Sequence, residues 1–224
     1  MYLIIFLGVT ILSWVVPANR QSNIKKYSQV PLNGGMTGRE VAEKMLRDNG
    51  IYNVTVTCTP GHLTDHYNPT NGTVNLSESV YHSNSVAAAA VAAHECGHAV
   101  QHAVAYAPLQ LRSALVPVVS FASNTVQWVL LAGILLVEVF PALLLIGIGL
   151  FALTTLFSFV TLPVEIDASR RATQWLSSAG ITSPYNHQMA VSALSSAAYT
   201  YVVAAIGSLA TLLYYVMIFL GRRD

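Results

Sequence analysis

Apolar residues gather in three blocks along this chain, with polar stretches between them. The first block, "YLIIFLGVTILSWVV" at residues 2–16, is followed at once by Arg20, Lys25 and Lys26. The second covers residues 115–162 and is interrupted by "VEVFPA" at residues 137–142, so that each half is long enough to cross a bilayer. The third, "YTYVVAAIGSLATLLYYVMIFL" at residues 199–220, ends in Gly221, Arg222 and Arg223. A helix needs about twenty apolar residues to cross a hydrocarbon core about 30 Å thick. The second block is therefore predicted to be a helical hairpin, and the third a terminal span. The first is short for a crossing; it reads as an uncleaved anchor, with Trp14 at the interface and the basic residues just beyond it. Glu138, beside Pro141, is expected to be a turn residue at the far interface, because a carboxylate in mid-bilayer is costly.

Four spans put residues 19–114 and 164–197 on one side of the membrane. Those two segments hold all of the eleven lysines and arginines except Arg222 and Arg223. The positive-inside rule then places them in the cytoplasm.

The first polar stretch has a period of its own. "TGRE" at residues 37–40 is a capping box opening an amphipathic helix, "REVAEKMLRDNG", in which Val41, Met45 and Leu46 share a face and Gly50 closes the end. "NVTVTC" at residues 53–58 alternates like a half-buried strand, and "HLTDHYNPTNGTVNLS" at residues 62–77 reads as two short strands about a turn at residues 68–72. From Ser85 to about Ala107, alanines and the near absence of Gly and Pro predict one continuous helix.

Composition agrees with the pattern. With 54% hydrophobic and 9% charged residues and a mean hydropathy of +0.52, this is a membrane protein and not a soluble domain. The net charge of +1 gives no basic surplus with which to hold nucleic acid. Cys58 and Cys96 do not make a disulfide framework and are read as free thiols.

The chemistry lies on the alanine-rich helix, in "AAHECGHAVQH" at residues 92–102. His94 and His98 are four apart, a rise of about 6 Å that returns both imidazoles to one face, where they can grip one ion. Glu95 projects beside them. A glutamate there can take a proton from water that zinc acidifies to a pKa of about 7 and pass it to a leaving amine. A five-residue pattern also occurs by chance. Here, though, a His-Glu-His face is costly on an apolar helix unless something satisfies it, which a metal does. A structural zinc site would fill all four positions with Cys or His, and Cys96 faces away from the histidines.

A catalytic zinc needs a third protein ligand. His102 is eight residues, about 12 Å of helix, from His94 and is out of reach, so it is at most a supporting residue. The extended HExxHxxGxxH pattern fails, with Gln101 at the glycine position and Val104 at the last histidine. Asp167 and His187 are weaker candidates. Glu165, in "LPVEIDASRRA" at residues 162–172, is the best placed, because the chain re-emerges there from the third span. If a helix starts at Glu165, Ala168, Ser169 and Ala172 share its face and permit close packing on the alanine-rich helix. Arg170, Arg171, His187 and Tyr185 are candidates to steady an oxyanion, with interfacial charge or loop packing as the plainer explanation for each.

"MTGREVAEKML", "HLTDHYNPTNGTVNLSESVY", "AAHECGHAVQHAVAYAPLQLRS" and "LPVEIDASRRA", taken in order, resemble the YugP-type membrane zinc metallopeptidases of bacteria over nearly the whole chain. The resemblance implies a gluzincin-like membrane endopeptidase, similar in outline to the HtpX-type proteases of protein quality control. It implies one zinc ion on His94, His98 and Glu165, with Glu95 as general base. It also implies that the hairpin at residues 64–76 borders the substrate cleft, with His62, Thr64 and His66 beside it. In one place the chain departs from HtpX-type enzymes: they carry an aspartate four residues after the glutamate ligand, where this chain has Ser169, its aspartate being Asp167.

The expected protein is thus mainly α and integral to the bacterial cytoplasmic membrane, with four transmembrane helices and a small α+β zincin-like domain on the cytoplasmic side. Its parts are an anchor (1–18), a metallopeptidase domain (19–114), a transmembrane hairpin (115–163), a segment supplying the third ligand (164–197) and a terminal helix with a short tail (198–224). Its partners are lipid and polypeptide substrates. Three other readings compete. An intramembrane site-2-type protease would carry an Asp-Gly motif, which is missing here. A zinc amidase or deacetylase shares the same water activation. A non-enzymatic zinc-tied scaffold would have no need of Glu95.

Overall fold

The computed structural model describes residues 21–221. The anchor expected at residues 2–16, and Arg222 and Arg223, lie outside them. The named elements are α1 (Gly38–Asp48), β1 (Thr55–Thr59), β2 (His66–Asn68), β3 (Thr73–Ser77), α2 (Glu78–Tyr81), α3 (Val86–Ala103), α4 (Ala107–Leu135), α5 (Pro141–Ser178) and α6 (Pro184–Gly221). The protein is mostly helical, with one small sheet. Its backbone contacts divide it into two units. Within the described range, one holds residues 21–109 and 163–200, and the other residues 110–162 and 201–221.

The first unit contains the mixed α/β structure. Thr37 caps α1 as the sequence predicts: its hydroxyl accepts the Glu40 N–H at 3.3 Å, and the Glu40 carboxylate accepts the Thr37 N–H at 2.8 Å. The helix ends where the Gly50 N–H bonds to the Arg47 carbonyl and the Ile51 N–H to that of Leu46, with Gly50 at φ +70°. Val41, Met45 and Leu46 are buried on one face. The sheet has the order β1-β3-β2, with β1 parallel to β3 and β2 antiparallel to it. The alternation on β3 puts Val74 and Leu76 into the core. Burying side chains of that size contributes about 1.5–3 kcal/mol each.

Ser85 caps α3, its hydroxyl accepting the Ala88 N–H at 3.2 Å. The alanines at 87–90, 92 and 93 are at most 3% exposed. Side chains this small let backbones approach closely, and one contact depends on it: a Cβ added at Gly97 would stand 2.7 Å from the Ala168 carbonyl oxygen on α5. The helix stops at Ala103, short of the predicted end near Ala107, because Ala105 takes a left-handed conformation (φ 51°) that breaks the ladder before α4 begins.

In the second unit α4 and α5 form the predicted hairpin, joined by residues 136–140, and Glu138 lies exposed in that turn. The hairpin is tight at Gly133, where a Cβ would stand 2.6 Å from the Leu144 Cα. Among the described residues, three helices (α4, α5 and α6) are long and apolar enough to cross a membrane.

Two expectations need correction. No helix starts at Glu165, because α5 runs unbroken for 38 residues through Pro163. Proline lacks the N–H that would bond one turn back, but membrane helices tolerate it when other groups satisfy the freed carbonyl. In addition, α6 starts at Pro184, fifteen residues before the apolar run at Tyr199 (199 − 184). Backbone bonding does not depend on hydropathy, so helices outrun their apolar segments. At 1.5 Å per residue α5 is about 57 Å long, nearly twice the hydrocarbon thickness.

Candidate metal centre

The i, i+4 spacing on α3 brings His94 and His98 together, their ring centroids 4.8 Å apart and their planes at 83°. From α5, Glu165 reaches the same place: its Oε2 lies 3.3 Å from His94 Nε2 and 3.7 Å from His98 Nε2. One potential ligand atom from each of the three lies within 4.8 Å of the others. Glu165 and His98 are buried, at 4% and 8% exposure, and Glu95 is buried beside them at 9%. Two imidazole nitrogens and one carboxylate oxygen converging in a buried place form a donor set suited to zinc.

A family model described as "Putative neutral zinc metallopeptidase" matches residues 2–220. The chain belongs to that family. It is also 47% identical over 206 residues to the "Putative membrane protease YugP" of Bacillus subtilis (strain 168), an alignment covering 91% of this chain and 90% of that protein. No solved structure matches the chain.

Charge in the cluster of His94, His98 and Glu165 follows from its burial. Burial works against the Glu165 carboxylate, but the hydrogen bonds and charges of His94 and His98 outweigh it and hold the group well below the usual carboxylate range. Burial likewise opposes charge on His98, and Glu165 and Glu95 overcome it and push the imidazole up. The buried carboxylate thus favours positive charge beside it, which a divalent cation would supply.

The outward nitrogens of both rings are engaged. His94 Nδ1 lies 3.1 Å from the Ser169 hydroxyl, so the residue standing where HtpX-type enzymes have aspartate meets the first histidine. His98 Nδ1 lies 3.0 Å from Gln101 Oε1. The Gln101 amide in turn donates to the Val164 carbonyl at 2.8 Å and to Asp167 Oδ2 at 3.0 Å. Asp167 also accepts from Arg170 and Arg171. Burial works against its charge, but these donors outweigh it and hold the carboxyl below its usual range. Arg171 lies over the Tyr106 ring, 5.8 Å from its centroid. Sequence reasoning named Asp167 and Arg171 but overlooked Gln101 as a partner. Its spacing of three from His98, one helical turn, was the available signal.

Other candidates are engaged elsewhere. His102 is exposed, with Nδ1 3.1 Å from the Tyr67 hydroxyl on β2. His187 pairs with Thr182 at 2.9 Å, a contact local to the start of α6. On the sheet side, His66 donates from Nδ1 to the Thr64 carbonyl at 2.7 Å, Thr64 donates to the Pro60 carbonyl at 3.3 Å, and His62 is exposed in the loop between β1 and β2. Tyr185 is 80% exposed.

Proposed function

We propose that this protein is a zinc-dependent endopeptidase of the bacterial cytoplasmic membrane, acting on membrane or membrane-proximal polypeptides, with its polar unit on the cytoplasmic face. The observation that supports this most is the meeting of His94, His98 and Glu165 within 4.8 Å, with Glu95 next to the first ligand on the same helix. His94, His98 and Glu165 hold one zinc ion. When bound, zinc supplies Lewis acidity to the scissile carbonyl and lowers the pKa of water at the site to about 7. Glu95 accepts a proton from the attacking water and delivers it to the leaving amine. The buried setting of Glu95 and Glu165 keeps their charges in a weakly screened environment, where they act strongly on reacting groups. β2, at the edge of the sheet, offers backbone groups to which an extended peptide can pair.

Glu95→Gln tests this. Glutamine keeps the shape and can still hold a water, but it cannot take the proton, a role that contributes about 10²–10⁴-fold. Cleavage of a casein-type or unfolded membrane-protein substrate should fall by that order while zinc content stays at the parental level. Cleavage at the parental rate would sink the mechanism. A parent protein that binds zinc yet cleaves no peptide would favour the amidase or the scaffold.

A further inference from the structure

We infer that Gln101 is a positioning residue: its one side-chain amide selects the ring nitrogen that His98 offers to the metal and fixes the stretch of α5 that carries Glu165. This rests on the metal-centre reading above. Gln101 is fully buried. The amide nitrogen lies 2.8 Å from the Val164 carbonyl oxygen and 3.0 Å from Asp167 Oδ2. A carbonyl and an ionised carboxylate are acceptors only, so turning the amide over would set its oxygen against two acceptors in a buried place. Its orientation is therefore fixed by its partners. The amide oxygen, which can only accept, then faces His98 Nδ1 at 3.0 Å, and that nitrogen must carry the proton. A neutral imidazole protonated at Nδ1 keeps its lone pair on Nε2, the atom facing Glu165 Oε2. Arg170 holds the other carboxylate oxygen of Asp167, and Arg171 shares Oδ2 with Gln101. The Ser169 hydroxyl on His94 cannot select in this way, because a hydroxyl donates or accepts as required. Val164 directly precedes Glu165 in the chain, so one amide touches a ligand of α3 and the backbone next to the ligand of α5.

The test uses the full-length protein in detergent, with zinc and cobalt as probes. Gln101→Met keeps the bulk and removes all three hydrogen bonds. Zinc affinity, read by competition with a chromophoric chelator, should fall about 10–100-fold, and the visible bands of the cobalt-loaded protein should change, which a loss of packing alone would not cause. Asp167→Asn should weaken zinc too, and adding it to Gln101→Met should cost nothing further, because Asp167 acts on the ion through Gln101. A folded Gln101→Met protein with parental affinity and cobalt bands overturns the inference, as do fully additive losses in the double variant. Should Gln101→Met fail to fold, the ring ¹⁵N signals of the zinc-loaded parent decide: a slowly exchanging proton on His98 Nδ1 is expected, and metal at Nδ1 or rapid exchange there overturns it. A parent that binds no zinc removes the metal-centre reading itself, whereas a zinc-binding parent with an indifferent Gln101→Met removes only the inference drawn from it.

Discussion

Substituting Gly97 by alanine measures how closely α3 and α5 must approach. In a helix interior glycine is about 1 kcal/mol worse than alanine, so on propensity alone the change should stabilise the protein. The neighbouring backbone reverses that. The new Cβ would lie 2.7 Å from the Ala168 carbonyl oxygen and 3.1 Å from the Ala168 Cα. The second distance is about 0.4 Å inside the ~3.5 Å at which carbon atoms attract. Backbone cannot swing away as a side chain would, so the helices must part by about that amount, at an overpacking cost of about 1–3 kcal/mol. The net effect is a loss of up to about 2 kcal/mol. Zinc binding should suffer more, because His98 adjoins Gly97 and Glu165 lies one turn before Ala168. Coordination distances tolerate only about 0.2 Å, so an opening of 0.4 Å should weaken zinc at least tenfold, about the least that damage to supporting contacts causes. Thermal unfolding with and without zinc, together with chelator competition, reads both effects. Gly149→Ala is the control: it is also helical, and its Cβ would meet nothing within 4 Å. If Gly97→Ala gains stability as the control does and keeps parental zinc affinity, the close approach is not what holds the ligands together.

Two further predictions concern ligand choice and topology. Glu165→Ala should lose zinc by at least 10–100-fold while His102→Ala, whose ring is engaged by Tyr67, largely keeps it; the opposite ranking would reject the third ligand. The exposed thiol of Cys58 should escape an impermeant maleimide on intact cells and react after lysis, and ready labelling of intact cells would place the polar unit outside.

Local features were the legible ones. The Thr37–Glu40 cap, the turn between β2 and β3 and the break near Glu138 each depend on a few consecutive residues, and so does the shared face of His94 and His98. What escaped was set by tertiary contacts. Gln101 and Asp167 are 66 residues apart, and nothing near either one announces the other. The parallel pairing of β1 with β3 depends on β2 passing to the far edge, which alternation along single strands does not encode. The continuity of α5 through Pro163 was not legible either, because the apolar run ends at Leu162 while backbone hydrogen bonding carries the helix on. The closeness of Gly97 to Ala168 was partly readable, since small residues recur on both helices, but which pair would touch was not.

Cys96 stands between the two histidines in the sequence and has a different chemical fate from its neighbours. It is completely buried, its sulfur pointing to the Ala42 carbonyl on α1 at 3.6 Å. Burial, helped by the charge of Glu95, pushes the thiol well above its ordinary range. The thiolate is the form that reacts with electrophiles and peroxide, so alkylating agents and oxidants find an inert group here, while Cys58 on the surface takes the damage. Thiol-directed covalent reagents would therefore spare this protein's HECGH segment.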